Sequence, residues 1–296
     1  MRACGLEFVV SGKYAKTIRL LDEWDADLSD PEAVVKDLRA QGARADLFTF
    51  VQRLPHTTPL FKKYRMEFDN VAAIPITTYD DWWKAINHRA RTKVRKSLKN
   101  GVVVREVPFD DDLVRGITAI YNETPIRQGR PFWHYGKTFE ETKTANATFL
   151  DRAEFLGAFH GDELIGFVKL VFTENFARTM QILGKESERE RAPMNALLAR
   201  AVERCVARKV PFLRYGKLVY GTKGIDSLAK FKIHNGFRQY DMPRYTIPMS
   251  LKGRVVLALH LQNGVKAAIP GWAVRAVLGL RSKLLAKKYG GQQEAD

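Results

Sequence analysis

Apolar positions are densest in the middle of the chain. EFLGAFHGDELIGFVKLVF (Glu154–Phe172) consists of two apolar runs parted by Gly161-Asp162. That pair predicts a tight hairpin, because glycine takes the positive φ a short reversal needs. FARTMQILG (Phe176–Gly184) predicts a third strand, and the charged loop KESERERAP (Lys185–Pro193) follows it. MNALLARAVERCVARK (Met194–Lys209) predicts a helix. Ala196, Leu197, Ala199, Ala201, Val202, Cys205 and Val206 take the i, i+3, i+4 steps of a buried face. PFLRYG (Pro211–Gly216) predicts a short strand. Together these elements make one α/β module in which a helix start faces the end of a strand. Such a start presents unpaired N–H groups and suits an anion.

The flanks are patterned more weakly. Glu7–Val10, Ile18–Leu21 and Leu47–Leu54 predict strands. Asp30-Pro31 predicts a helix running to about Ala40, with Asp at the cap, Pro at the first helical position and Gly42 as the stop. Lys63–Ile76 predicts an extended segment. Thr78 or Asp80 caps a predicted helix through Trp82 and Trp83 toward Lys99, stopped by Asn100-Gly101. Val102–Val107 predicts a strand, and Asp110–Thr124 and Phe139–Leu150 predict helices. The tail, Leu251–Gly290, predicts two helices split at Pro270-Gly271. In the second, Val274, Val277, Leu278, Leu284 and Leu285 form one stripe flanked by Arg275, Lys283 and Lys287, with Trp272 near its start. An interfacial helix and a helix packed on its own domain would both show this pattern.

Charge sharpens the division. The chain has 296 residues and a formal net charge of +16. Ala90–Gly101 holds Arg91, Lys93, Arg95, Lys96 and Lys99 without an acid, and Ser250–Gly290 is also free of acids. Either segment is a solvated face or meets something anionic, such as a membrane, an RNA or a phosphorylated substrate. Aromatic interleaving and nucleic-acid motifs are missing, so sequence-specific DNA binding is not expected. The domains expected are an N-terminal α/β unit (1–89), a core (90–250) and a basic amphipathic helical tail (251–296). Cys4 and Cys205 make neither a zinc site nor a disulfide framework, which points to a reducing compartment. MRACGLEFVV has too short an apolar run for a secretory signal. No run is long and apolar enough to span a bilayer. A cytoplasmic protein is expected, with the tail as a means of peripheral attachment at the inner membrane face.

The stretch Glu154–Tyr215 resembles the acyl-transfer core of the GNAT superfamily, and the chain is most similar to the FemAB-like branch, which joins amino acids to cell-wall precursors. Ser227-Leu228-Ala229-Lys230-Phe231-Lys232, followed by Asn235-Gly236-Phe237, is similar to that branch's FK and GF steps at a helix-to-strand corner. Thr92–Ser97 before Gly101-Val102-Val103 looks like the basic helix entering its second domain. The resemblance implies an α/β, GNAT-like mixed sheet with flanking helices. It also implies direct attack of an amine on an activated acyl carbon, without a metal or a covalent enzyme intermediate. The donor would be an acyl-CoA or an aminoacyl-tRNA. The alternative is an inactive GNAT-fold module that binds membranes or anionic partners.

Family roles carry to matching positions. Gln181, Ile182 and Leu183 would offer backbone groups to the donor. Arg189, Arg191 and Asn195 would hold its phosphates. The family's phosphate loop is glycine-rich, whereas this chain has Ala192 and Met194 where glycines are usual, and Pro193 lacks an N–H. That moves the expectation toward the tRNA-borne donor. Tyr215, Lys217 and Tyr220 follow the last core strand, where a tyrosine could protonate a leaving group and a lysine could steady an oxyanion. His134 or Glu186 could be the base. The loop IRQGRPFWHYGK (Ile126–Lys137) places Trp133 and Tyr135 in a lid or wall of the substrate pocket; equally, Phe132 and Trp133 could simply fill a core. G-x-S-x-G, H-E-x-x-H and C-x-x-C do not occur.

One consequence concerns the tail. Its basic, acid-free composition predicts co-sedimentation with anionic liposomes that weakens with salt, since exposed charges are screened over about 8 Å at physiological ionic strength. A chain ending at Met249 should lose this binding. Equal sedimentation of the two chains would show that the tail does not bind lipid.

Overall fold

The computed structural model describes residues 1–23, 28–127, 129–220 and 226–261, with Arg130 described by its backbone alone. The tail's Pro270-Gly271 break and apolar stripe lie outside the described residues. In chain order the first elements are β1 (Arg2–Ala3), β2 (Leu6–Ser11), β3 (Thr17–Leu20), α1 (Pro31–Ala40), β4 (Leu47–Val51), β5 (Arg65–Pro75), α2 (Tyr79–Ala85) and α3 (His88–Lys99). Then come β6 (Val102–Val107), α4 (Asp111–Asn122), β7 (Ile126–Arg127), β8 (Arg130–Pro131), α5 (Phe139–Asn146), β9 (Ala153–His160), β10 (Glu163–Phe172) and β11 (Ala177–Gly184). The last are α6 (Pro193–Ala207), β12 (Phe212–Arg214), α7 (Ser227–His234), β13 (Arg238–Pro248) and α8 (Leu251–Ala258).

Two compact units form. One comprises Met1–Gln52, Thr58–Glu67 and the chain from Pro243 onward; the other comprises Arg53–Thr57 and Phe68–Met242. These limits do not coincide with residues 89 and 250, because β5 and β13 each run from one unit into the other.

In the first unit the strand order is β1-β2-β3-β4-β13, with β3 and β4 parallel and the other pairs antiparallel. The helix α1 makes the crossover between the parallel strands. Asp30 caps it by accepting from the Glu32 and Ala33 N–H groups, and Pro31 follows as read from the sequence. Phe8, Phe48, Phe50 and Tyr245 pack beneath it, and the buried Tyr245 hydroxyl donates to Gln52 Oε1 at 2.8 Å. Ser250 caps α8 and also donates to Asp46 Oδ1 at 2.8 Å.

In the second unit the order is β5-β12-β11-β10-β9-β6, with β11 and β12 parallel and the other pairs antiparallel. The Gly161-Asp162 reversal closes the β9–β10 hairpin, with Gly161 at φ 59°. Because α6 is buried almost all round, it lies between the sheet and α2 and α3. The opposite sheet face is covered by α4, whose Leu113, Ile117, Ile120 and Tyr121 pack on Phe155, Leu164 and Phe167.

The single helix expected from Trp82 toward Lys99 is two. Ile86 is extended, and Asn87 starts α3 by accepting from the Arg89 N–H at 2.8 Å. Arg91 fills the break, its Nη1 donating to the Trp83, Lys84 and Ile86 carbonyls. An internal Asn can cap a new helix within a periodic pattern. The helix expected to reach Leu150 ends at Asn146.

The buried carboxylate of Glu154 on β9 anchors α6. It accepts from Arg204 Nε and Nη2 at 2.8 and 2.9 Å and pairs with Arg208. Burial pushes its pKa up, but the two guanidiniums outweigh burial and hold the carboxyl below its ordinary value. A depressed folded pKa contributes stability that is full above the unfolded value and is lost as pH falls through the folded one. Glu154→Gln should therefore cost about 2–3 kcal/mol at neutral pH. It should also flatten the loss of stability below about pH 4.3. Urea unfolding across pH measures both, and an unchanged acid limb would remove Glu154 from the account.

Candidate functional site

The parallel ladder between β11 and β12 lasts only two residue pairs, Ala177 with Leu213 and Arg178 with Arg214. Beyond Arg214 the chain turns its backbone to the other neighbour. The Tyr215 N–H donates to Ala72 O at 2.8 Å, and the Ala72 N–H donates to Gly216 O at 2.9 Å. From Thr179 to Gly184, β11 therefore has β10 on one side and no partner from β12 on the other. This opening lies at the carboxyl ends of two parallel strands, the place where α/β sheets bind ligands.

A bulge shapes the open part of β11. Lys169 pairs with Gln181 and Leu170 with Thr179, so Met180 is the extra residue. A bulge re-aims the side chains that follow it. Ile182 turns into the core beneath α6. Gln181 turns to the other face, where it meets Tyr121 and His134. Leu183 lies half-buried beside the α4 cluster.

The loop Ile126–Lys137 brings His134 to this strand. A short β7–β8 hairpin holds the loop, and Arg127 ties it to β11 by donating from Nη1 to Gly184 O at 2.9 Å. His134 is 5% exposed and stacks on Tyr121 with centroids 4.2 Å apart. Its pKa falls to about 4, through burial first and then the cations of Lys137 and Arg127. Trp133 covers it at 3.6 Å while remaining 75% exposed itself, and Tyr135 is half exposed. Lys137 sits 4.8 Å from the Trp133 ring. Thus Phe132 packs against the α4 cluster, whereas Trp133 and Tyr135 stay at the surface.

Beneath this loop runs a buried polar line. Asn146 Nδ2 reaches the Tyr121 hydroxyl at 3.3 Å, and Tyr121 donates to Gln181 Oε1 at 2.6 Å. Lys169, 2% exposed, donates to Asn146 O at 2.7 Å and to Thr148 Oγ1 at 2.9 Å, and burial lowers its pKa to about 8. Tyr121, Asn146 and Lys169 escaped the sequence reading. Lys169 did leave a signal, a lone charge within an apolar strand.

The loop after β11 is neutralised internally. The Glu186 and Ser187 N–H groups and the Ser187 hydroxyl all donate to the Glu123 carboxylate, at 2.5, 3.0 and 2.6 Å. Arg189 pairs with Glu186 at 3.1 Å, and Arg191 with Glu188 at 2.6 Å. At the helix start the Asn195 and Ala196 N–H groups reach Ala192 O at 3.1 and 3.4 Å, and Pro193 has no N–H to give. The Asn195 side chain donates to Asn235 Oδ1 at 3.0 Å. A pyrophosphate entering this loop at the Glu186 and Ser187 N–H groups would have to displace the Glu123 carboxylate.

The segment after β12 carries the remaining candidates. Burial raises the Tyr215 pKa, with Tyr220 adding to the shift. Lys217 Nζ pairs with Asp69 at 3.2 Å, and its N–H donates to the Tyr220 hydroxyl at 3.2 Å. Gly216, at φ 55°, leaves room for that hydroxyl, which would lie 2.6 Å from an added Cβ. Lys232 of α7 lies below, fully buried. Its Nζ donates to Lys217 O at 2.6 Å and sits 4.2 Å from the Tyr215 ring and 5.0 Å from the Tyr220 ring. Burial lowers its pKa to about 8, against an opposing pull from Asp226. Tyr215, Lys217 and Tyr220 thus converge on Lys232, whereas His134 meets Gln181. Glu186, Arg189 and Arg191 lie in the charged loop. Among the described residues no cluster of three or more His, Cys, Asp and Glu side chains could hold a metal.

No protein-family model matches the chain, and no curated protein matches it in sequence. Solved structures do. The C-terminal domain of a "Putative Lysylphosphatidylglycerol Synthetase" from Agrobacterium fabrum superposes with a TM-score of 0.55 at 12% identity, covering 85% of this chain and 83% of that one. L-PGS from Bacillus licheniformis gives 0.54 at 13% identity, covering 86% and 84%. A conserved protein of unknown function from Bacteroides thetaiotaomicron gives 0.52 at 11% identity, covering 81% and 83%.

Lys232 generates a prediction. A lysine with a depressed folded pKa makes the unfolded state bind more protons between pH 8 and about 10.4, so stability rises with pH across that window. Lys232→Met should remove this rise and stabilise the fold by about 1–2 kcal/mol at neutral pH. Thermal unfolding from pH 7 to 10 tests it, and an unchanged slope would mean that Lys232 does not titrate there. At these identities the likeness is one of fold alone, a GNAT-like mixed α/β sheet with flanking helices.

Proposed function

We propose that this protein transfers an aminoacyl group from an ester donor, aminoacyl-tRNA, to an amine. The observation that carries the reading is the opening between β11 and β12, with a buried neutral histidine beside one strand and a buried lysine below the end of the other. An amine attacks the ester carbonyl, a C–N bond forms, and the C–O bond to the ribose breaks. The amine proton leaves with a base, and the ribose oxygen takes one up. Lys232 can steady charge on the carbonyl oxygen, and Tyr215 or Tyr220 can supply the leaving group's proton. Glu186 and His134 remain the two candidates for the base. Trp133 and Tyr135 would form the exposed wall met by the acceptor.

The choice of an aminoacyl over a coenzyme A donor rests on the charged loop, whose donors are already engaged by Glu123. A polyanion has another surface to use. Arg89, Lys93, Arg95 and Lys99 are exposed on α3, which Lys96 joins to the loop through Glu190 at 2.8 Å. Arg189 extends that surface. The neighbour described as a putative lysylphosphatidylglycerol synthetase supports acyl or aminoacyl transfer in general. Leu251, Val255 and Leu259 leave an exposed apolar stripe on and just beyond α8, at i, i+4 spacing, which supports contact with a lipid surface next to the basic tail.

Calorimetric titration with acetyl-CoA, longer acyl-CoAs and charged tRNA tests the donor. Charged tRNA should bind, and Arg89→Glu combined with Lys93→Glu should weaken it at least tenfold and flatten its salt dependence. Arg189→Ala should weaken it less, because Arg189 is shared with Glu186. Tight acyl-CoA binding would reverse the donor assignment. Binding of no donor would leave the inactive-module reading in place.

A further inference from the structure

His134 has a defined tautomer, and the polar line beneath it sets that tautomer. The direction is fixed at the far end. Asn146 Nδ2 lies 2.9 Å from the Thr142 carbonyl oxygen, and only a donor can face a carbonyl there, so this atom is the amide nitrogen. The same nitrogen faces the Tyr121 hydroxyl at 3.3 Å. The hydroxyl oxygen accepts from it and sends its own proton to the remaining neighbour, Gln181 Oε1, at 2.6 Å. The Gln181 amide is thereby oriented with its nitrogen 2.9 Å from His134 Nε2. An amide nitrogen only donates, so Nε2 accepts and the neutral ring carries its proton on Nδ1. That Nδ1 is buried and has no partner among the described residues. An orphaned buried donor is costly, and such atoms call for a ligand or a function.

The surroundings keep the ring neutral. Protonating Nε2 would set two N–H groups against each other. Tyr121 stacks on the ring from α4, and Arg127 from β7 and Lys137 from the loop bring positive charge. The nearby carboxylate of Glu123 is engaged by Arg127, Glu186 and Ser187 instead. None of the described carboxylates pairs with the imidazole. A base would need a free lone pair, and the only one on this ring is held by Gln181.

We infer that His134 is a fixed hydrogen-bond donor and not a base, presenting its Nδ1–H to an acceptor oxygen of the ligand. For the transfer proposed above, that oxygen is the acyl carbonyl, and the hydrogen bond strengthens as charge builds on it. Asn146, Tyr121 and Gln181 are positioning residues that hold the tautomer. The identity of the ligand rests on the transfer reading, whereas the tautomer does not. The amine proton then leaves by another route, and Glu186, exposed in the charged loop, is the remaining candidate for it.

The test begins with the protein alone. Long-range proton–nitrogen NMR of the full chain, with His134 assigned by its loss in His134→Asn, should show a neutral ring protonated on Nδ1 from about pH 5.5 to 8. Gln181→Glu puts an acceptor opposite Nε2, so the proton should move to Nε2 and the ring should titrate near or above its ordinary pKa of about 6.5. A wild-type ring that is protonated on Nε2, or that titrates near 6.5, overturns the inference whatever the activity. Turnover with charged tRNA then tests the ligand contact. His134→Ala should lower kcat roughly 100-fold. His134→Asn, whose amide nitrogen overlays Nδ1, should recover most of that loss, and His134→Gln, whose nitrogen overlays Nε2, should not. Equal activity in all three variants overturns the contact. A wild-type protein without turnover on any donor overturns the transfer reading and its ligand, and the imidazole spectrum still decides the tautomer.

Discussion

The parallel ladder between β11 and β12 ends after Arg178 and Arg214, and the arrangement of the second unit depends on that ending. Backbone N–H and C=O groups within a sheet need partners. Past this point the β12 side takes its partners from Ala72 on β5, and β11 keeps β10 alone. The strands separate because each is held by a different neighbour. The Met180 bulge adds to this by turning Gln181 onto the α4 face while Ile182 stays under α6. A continuous ladder would have closed the opening and removed any reason for the polar side chains around it.

Those polar groups are expensive to keep. Lys169 and Lys232 are both buried with pKa values near 8, and among the described residues neither is neutralised by a buried carboxylate partner. Lys169 is satisfied by the Asn146 carbonyl and by Thr148, where α5 ends. It therefore braces the floor of the polar line. Lys232 has one carbonyl and two tyrosine rings. The contrast separates a structural lysine, saturated with oxygen acceptors, from one that keeps donor capacity beside the opening.

The charged loop after β11 reads differently once Glu123 is seen. The loop keeps the position of an anion-binding turn, before a helix start, but its anion is one of the protein's own carboxylates. Arg127 bridges the arrangement, holding Glu123 on one side and Gly184 O on the other. The same arginine that fixes the His134 loop to β11 thus also fills the turn. The His134 loop and the charged loop are coupled through a single guanidinium.

Much of the framework was legible in the sequence, because hydrophobic periodicity is local. The Gly161-Asp162 hairpin, the strand to Gly184, the buried helix after Pro193 and the Asp30-Pro31 cap follow from spacing and from what glycine and proline allow. The lone Lys169 in an apolar strand was visible too, though not its purpose. The break at Asn87 was hidden because a cap and a solvent-exposed polar residue look alike within a helical pattern. The site was hidden more deeply. That Tyr121, Gln181, His134 and Asn146 form one line depends on four segments meeting, and on a bulge that turns Gln181 by one face. That Arg189 and Arg191 are engaged by Glu186 and Glu188 depends on the loop's own turn. The sequence by itself determined which segments are helices and strands and which residues carry charge. Only the tertiary structure decided which charges are spent on one another and which donor is left over, because hydrogen bonds between residues far apart in the chain exist only once the sheet brings them together.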